Sequence, residues 1–458
     1  MPGSAEDVGL SLVVLMLVFA CAALIRGRSR PLRALFIPTA VIGGFLILAL
    51  GPEGLGRVIG GAGLFSAPTF AVWKVLPGLL INVMCASLLL GERLPSLKNI
   101  WSISGTHVIM ASIMSAGQFA VASVLVLLLL EPVFGFNTKG AALIEMSFAG
   151  GHGTLAGLTG VLVQYGVADL LEIGLGLATV GMLTGIVVGT MLVNHAVKSP
   201  SISIARQRPT SPDEDLDIDH HLPKPDDEPM DEWHGMTQVT AAAVFLGVSI
   251  VVGIVLFEIF RRAFNAAGSD FFEKFPLFPF TIIGGVVVQL CAVRMKCESV
   301  INRRAVEGFG GLAIDGIVAC AIGTLSLGAL GHYIGPFLIL AIAAVGWSVF
   351  ATMVIGRRIF PQNWFEHSLA EFGESQGNVA TGFVMLDMVD PLRKTDVVTG
   401  YSYRQLITRP MIGGGFITAL AVPLIASLGL RAFTIVTVTA TLALTLWGIR
   451  RSRTAAGA

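Results

Sequence analysis

The sequence predicts an all-α integral membrane protein: two inverted five-helix repeats, each with a re-entrant hairpin, and an extra C-terminal helix. Three observations carry this. Of 458 residues, 54% are hydrophobic and only 13% charged, where soluble domains carry about a quarter; the mean hydropathy is +0.79. The apolar residues run continuously for close to the roughly 20 residues a spanning helix needs, without the three-to-four spacing of a half-buried soluble helix. Two further stretches, 140–165 and 364–389, are apolar yet full of glycine and polar residues, which a lipid-facing helix does not tolerate.

The first run, 8–25, has Glu6 and Asp7 before it and Arg26, Arg28, Arg30 and Arg33 after it. That is the reverse of a secretory signal peptide, so the segment reads as an uncleaved span. Runs at 34–50, 75–91, 104–130 and 170–196 complete the first half, and 237–260, 277–293, 309–330, 336–355 and 410–428 form the second. The run 431–449 is the extra helix, which makes eleven crossings with the glycine-rich stretches as hairpins. Basic residues cluster at 26–33, at Arg93 and Lys98, at Arg294, Lys296, Arg303 and Arg304, and at Arg450, Arg451 and Arg453. The positive-inside rule puts these turns in the cytoplasm and the N-terminus outside, with Arg261, Arg262 and Lys274 on the other side.

Residues 198–236 hold ten acidic and four basic residues and six prolines, a composition that cannot bury a core. This segment reads as a disordered cytoplasmic linker between halves 1–197 and 237–430, with 431–458 as the added helix and basic tail. Its His220, His221 and His234 offer a metal-site reading, against which a solvated loop is the simpler one. The five cysteines have no CxxC spacing and read as reduced packing residues.

The halves repeat each other. Pro38-Thr39-Ala40-Val41-Ile42-Gly43-Gly44 in the second span matches Pro279-Phe280-Thr281-Ile282-Ile283-Gly284-Gly285 in the seventh. Asn82 and Asp315 are each a lone polar residue in the third span of their half. Phe148-Ala149-Gly150-Gly151-His152-Gly153-Thr154-Leu155-Ala156 aligns without a gap over Phe372-Gly373-Glu374-Ser375-Gln376-Gly377-Asn378-Val379-Ala380. Five spans and a hairpin per half is an odd number of crossings, so the second copy is expected upside down. That is the arrangement of secondary transporters that bind substrate and ions at the repeat interface.

A broken helix leaves backbone N–H and C=O groups that must line a cavity or bind something. Half-helix starts favour an anionic group and exposed carbonyls a cation. The candidate substrate site is therefore Ser147, Gly150, Gly151, His152, Gly153, Thr154, Ser375, Gln376, Gly377, Asn378 and Thr381, whose alternative is small-residue packing with hydroxyls bonded to carbonyls. Among the ionisable residues Glu145, Glu371, Glu374, Asp315, Asp387 and Asp390, the candidate ion site is Asp315 with its repeat partner Asn82 across one cavity, and Glu374. Asp387 and Asp390 read as salt-bridged residues at a watery mouth.

Ser147-Phe148-Ala149-Gly150-Gly151-His152-Gly153-Thr154 is close to the Gly-Gly-His-Gly-Thr signature of the sodium:glutamate symporter family. Ile37-Pro38 with Val41, Gly43 and Gly44 is similar to another pattern of that family, and the likeness covers about residues 1–430. The resemblance implies sodium-coupled uptake of an acidic amino acid across a bacterial inner membrane, with no cofactor beyond the coupling ion and a homodimer as an open alternative. The chain departs from the family at Gly373-Glu374-Ser375-Gln376-Gly377-Asn378, where an uncharged, glycine-rich turn is expected; Glu374 would repel a dicarboxylate. Proton coupling, or a channel for another small solute, is the alternative function. No GxSxG or HExxH motif suggests an enzyme, and no basic block suggests a nucleic-acid partner.

Overall fold

The computed structural model describes residues 5–34, 37–61, 63–92, 96–199, 202, 236–269, 271–391 and 393–456, and these fold into helices without a β-strand. In chain order, the first half holds α1 (Ala5–Arg28), α2 (Thr39–Leu50), α3 (Ala67–Ser87) and α4 (Leu97–Leu125). Two short helices, α5 (Leu143–Ser147) and α6 (Gly151–Gln164), follow, and then α7 (Asp169–Lys198). The second half holds α8 (Gln238–Ala266), α9 (Phe278–Arg294), α10 (Arg303–Gly323) and α11 (Ile334–Phe350). A helical pair, α12 (Trp364–Gln376) and α13 (Val379–Val389), precedes α14 (Val397–Met411), α15 (Phe416–Leu428) and α16 (Leu430–Ala456). The expected linker lies, apart from its edges, outside the described residues, as do its three histidines and Arg93.

Among the described residues, ten helical segments are long and apolar enough to cross a membrane. The eleventh expected crossing is α9, 17 residues long, or about 26 Å at 1.5 Å per residue. Side-chain caps fix where several helices start. Ser66 accepts from the Thr69 amide at the head of α3, Ser96 from Asn99 at α4, Thr237 from Thr240 at α8 and Asn302 from Ala305 at α10, each satisfying an N–H the helix leaves unpaired.

The expected span 410–428 differs. Helix α14 begins at Val397 and stops at Met411, and α15 resumes at Phe416; the two form one span-length segment, Val397–Leu428. Between them Gly413 and Gly414 take φ of 62° and 98°, values that cost an L-residue dearly. This broken helix stands near the middle of the bundle.

Packing is reciprocal between the halves. In each half the first helix packs on the second and third, α1 on α2 and α3, α8 on α9 and α10. The second helix of each half packs on the third of the other, α2 on α10 and α9 on α3, and the third helices pack on each other. The fifth helix of each half meets the fourth of the other, α14 on α4 and α7 on α11. The Gly-Gly motif lies at these crossings. A Cβ on Gly44 would stand 2.7 Å from Ile322 Cβ in α10, and one on Gly285 2.6 Å from the Ala86 carbonyl oxygen in α3, so both glycines let a helix of one half approach the third helix of the other.

Candidate functional site

The two helical pairs reach the centre from opposite ends of α11. Before α5, Phe136 lies 5.9 Å ring to ring from Tyr333 at the head of α11, and Phe134 packs on Gly335. Before α12, Phe360 stacks on His367 at 4.6 Å, and Arg357 at the tail of the same segment lies over Trp364. The tips meet: a Cβ on Gly151 would be 3.4 Å from the Gly377 carbonyl oxygen. In the first pair the turn is Phe148–Gly150, entering α6 through Gly151 at φ 71°. In the second it is Gly377-Asn378, in extended backbone, with Asn378 Oδ1 accepting from the Thr381 amide at 3.0 Å. The gapless alignment sets Gly151 over Ser375, whereas the helix starts are Gly151 and Val379, four residues further. That is about one helical turn: Ser375 and Gln376 continue α12 until Asn378 can cap its successor.

A cavity of about 90 Å³ opens at the tips. Gly150, Gly151, His152, Gly153 and Thr154 line one side; Glu374, Gly377 and Asn378 another; Arg409, Gly413 and Gly414 a third; Met84 of α3, Leu88 just after it, Met182 of α7, and Ile314, Ile317 and Val318 of α10 are among the rest. Three breaks in helices thus converge on one space. The starts of α6 and α13 give it N–H groups that favour an anion. Arg409 gives it a guanidinium that, among the described residues, has no ion-pair partner.

The neighbouring Arg404 is ion-paired with two carboxylates, though its Nε makes no hydrogen bond among the described residues. Its Nε lies 3.0 Å from Glu371 Oε1, its Nη2 pairs with Glu374, and its Nη1 donates to Thr408 Oγ1 at 3.0 Å. Gln405 also donates to Glu374, at 2.7 Å. Glu374 is therefore paired with Arg404, while Glu374 itself and Arg409, on the same helix as Arg404, line the cavity. Both arginines lie outside every expected span, between the stretch 364–389 and the span 410–428. The available signal was spacing, since Arg404, Thr408 and Gly400 recur every four residues as on one helix face.

Glu145 is fully buried. Its Oε1 accepts from Ser115 Oγ at 2.9 Å, the Gly413 amide at 3.0 Å and Thr418 Oγ1 at 2.9 Å, while its Oε2 has no partner. It ties the first pair of short helices to the break in the second half.

Several predicted residues serve packing. Thr154 Oγ1 donates to the Gly150 carbonyl at 2.7 Å and Ser375 Oγ to that of Phe372 at 2.9 Å. Thr381 Oγ1 bonds Asn378, and Gln376 accepts from Thr184 at 3.3 Å. His152 Nε2 lies 2.9 Å from Thr179 Oγ1 on α7 while lining the cavity. Ser147 Oγ is buried without a partner and, with Gln376 and Thr381, does not line this cavity. Asn82 and Asp315 do not face each other across it, as expected, for Ile314 and Ile317 line it instead. Asp315 is exposed and does not line the cavity; Asn82 donates to Gly78 of its own helix at 3.2 Å.

No curated protein matches the sequence. The family model for the sodium/glutamate symporter matches residues 6–363 and stops one residue short of α12, where the charged part of the site begins. That match spans most of the chain, and with ten span-length apolar helices it identifies a multi-pass membrane transporter: the chain belongs to the sodium/glutamate symporter family.

Proposed function

We propose that the protein is an ion-coupled symporter of a bacterial inner membrane that carries a small organic anion, an acidic amino acid such as glutamate, with sodium as the coupling ion. The observation that carries this reading is Arg409, a cationic side chain that has no ion-pair partner among the described residues, in a cavity where two half-helix starts converge. A carboxylate there would meet a guanidinium and oriented N–H groups together. The cation site is assigned to Glu145, whose Oε2 is buried and unpartnered beside the broken backbone of 412–415. The reciprocal packing of the two halves supports the inverted-repeat reading, with the helical pairs as re-entrant hairpins and the cavity at the repeat interface.

Uptake of radiolabelled L-glutamate into proteoliposomes, with sodium replaced by potassium in parallel, tests the proposal. Saturable, sodium-dependent uptake is expected. Arg409→Gln removes a charge-assisted contact of about 1.5–3 kcal/mol, so KM for glutamate rises between about tenfold and a hundredfold, while Arg409→Lys retains part of the affinity. Unchanged KM in Arg409→Gln overturns the anion-site assignment.

A further inference from the structure

The second hairpin carries a chain of titratable side chains that anion binding does not use. It begins at Asp396, between α13 and α14, whose side chain is 84% exposed. Asp396 Oδ1 is 3.5 Å from His367 Nε2, His367 Nδ1 is 2.8 Å from His107 Nε2 on α4, and His107 Nδ1 is 2.7 Å from Glu371 Oε1. Exposure falls along the chain from 84% to 11%, 3% and 1%. From Glu371, Arg404 bridges to Glu374 in the cavity wall. The stacked Phe360 ring covers His367 at 4.6 Å.

Two imidazoles bonded to each other must share one N–H and one lone pair, so the tautomers of His107 and His367 are linked. In one arrangement His367 donates to His107, His107 donates to ionised Glu371, and His367 Nε2 is bare toward Asp396. In the other every bond is reversed: protonated Glu371 donates to His107, His107 to His367, and His367 to ionised Asp396.

We propose that this chain is a proton path between the solution at Asp396 and the substrate cavity, and that Glu371 is its inner terminus. A proton taken up at His367 Nε2 releases the Nδ1 proton to His107 Nε2, and His107 releases its own Nδ1 proton to Glu371. One proton enters, one carboxylate is neutralised, and no other reactant is needed. The charge balance then couples the proton to substrate, a step that rests on the Arg409 reading above. With both glutamates ionised, Glu371 and Glu374 offset Arg404 and Arg409. With Glu371 protonated, one positive charge is left over in a site screened from bulk water, where it is strongly felt, and a substrate carboxylate offsets it.

Other charged or titratable groups stand on the elements packed around the chain. Tyr401 lies under Arg404 and donates to the Val379 carbonyl at 3.1 Å. Glu366 belongs to α12 itself, Asp387 to α13, His195 to the end of α7, and Arg357 lies over Trp364. None of these stands between successive members of the chain, whose two inner links are hydrogen bonds and whose outer link is an ion-pair contact.

The path is tested first without substrate, on the purified full chain in lipid. Infrared titration between about pH 5 and 8 should show a carboxylic-acid C=O band that Glu371→Gln removes. Its deuterium exchange should slow about tenfold or more in His367→Gln and in the surface variant Asp396→Asn, which cannot disturb the core. Absence of the band, or exchange unchanged in both variants, overturns the path. L-glutamate counterflow, which needs no gradient, is measured on the same vesicles with a lumenal pH dye. Failed counterflow with an intact band removes the glutamate reading and leaves the path standing. Counterflow accompanied by net uptake that does not acidify the lumen overturns proton coupling.

Discussion

The backbone amide of Gly413, in the break between α14 and α15, donates to Glu145 Oε1 at 3.0 Å, so a carboxylate of the first hairpin holds open the broken helix of the second half. Thr418 and Ser115 donate to the same oxygen. Glutamine at 145 can keep an acceptor oxygen for all three donors and removes only the charge. Glu145→Gln is therefore expected to fold with near-native thermal stability and to lose the sodium dependence of uptake. Glu145→Ala leaves three donors without their acceptor at about 1–3 kcal/mol each where they stay dry, and should unfold at clearly lower temperature in detergent. A Glu145→Gln variant with native sodium dependence would place the cation elsewhere.

Arg404 holds two carboxylates, and its own side chain is 3% exposed beside Glu371 at 1%. Removing one partner from such a buried group strands charge and costs about 3–5 kcal/mol. Arg404→Met should thus unfold well below the native protein, and Arg404→Met combined with Glu371→Gln should recover part of the loss. A thermal unfolding series of the three variants reads this directly. Arg409→Gln, by contrast, should leave stability near native, since no ion pair is lost.

Asp315 is exposed on α10 and does not line the cavity. Asp315→Asn is therefore expected to transport with native dependence on sodium and pH, measured as initial uptake rate across a series of sodium concentrations. A tenfold weaker apparent sodium affinity would return Asp315 to the mechanism.

Much of the fold was legible because lipid imposes it. Continuous apolar runs gave the spans, and the glycine-rich interruptions at 148–154 and 373–378 marked two of the three breaks at the cavity. The third was hidden. Residues 397–411 carry Tyr401, Tyr403, Arg404, Gln405, Thr408 and Arg409, too polar for a helix facing lipid, yet this helix packs on α4 and buries Tyr401 and Arg404 among protein partners. Hydropathy measures transfer to lipid and is silent on charges such as Glu374 and Arg404 that neutralise each other across 30 residues of sequence. His107 was equally silent, a lone histidine in an apolar run until the structure brings Glu371 and His367 to its two ring nitrogens. The lone-polar argument that singled out Asp315 has a related limit: it fixes depth along a helix but not the direction a side chain points, and Asp315 does not line the cavity.

Gly414 allows the sharpest test of the broken helix. Its φ of 98° is a conformation L side chains rarely adopt, and a Cβ there would stand 2.3 Å from Thr154 Oγ1. Two costs are thus combined at one position, a backbone strain of about 1–2 kcal/mol and a steric clash with the first hairpin. They are separable, because only the clash depends on Thr154. Gly414→Ala should abolish uptake and lower thermal stability. Adding Thr154→Ala, which removes the clashing hydroxyl, should restore part of the stability and leave the strain. Gly153→Ala, whose added methyl would press only on the movable end of Ile81 at 3.2 Å and otherwise make ordinary contact with Ile317 and Met84 at 3.8 Å, should remain close to native in stability. If Gly414→Ala is as stable and active as the native protein, α14 and α15 do not break as described, and the Gly413 amide is not the group that Glu145 holds.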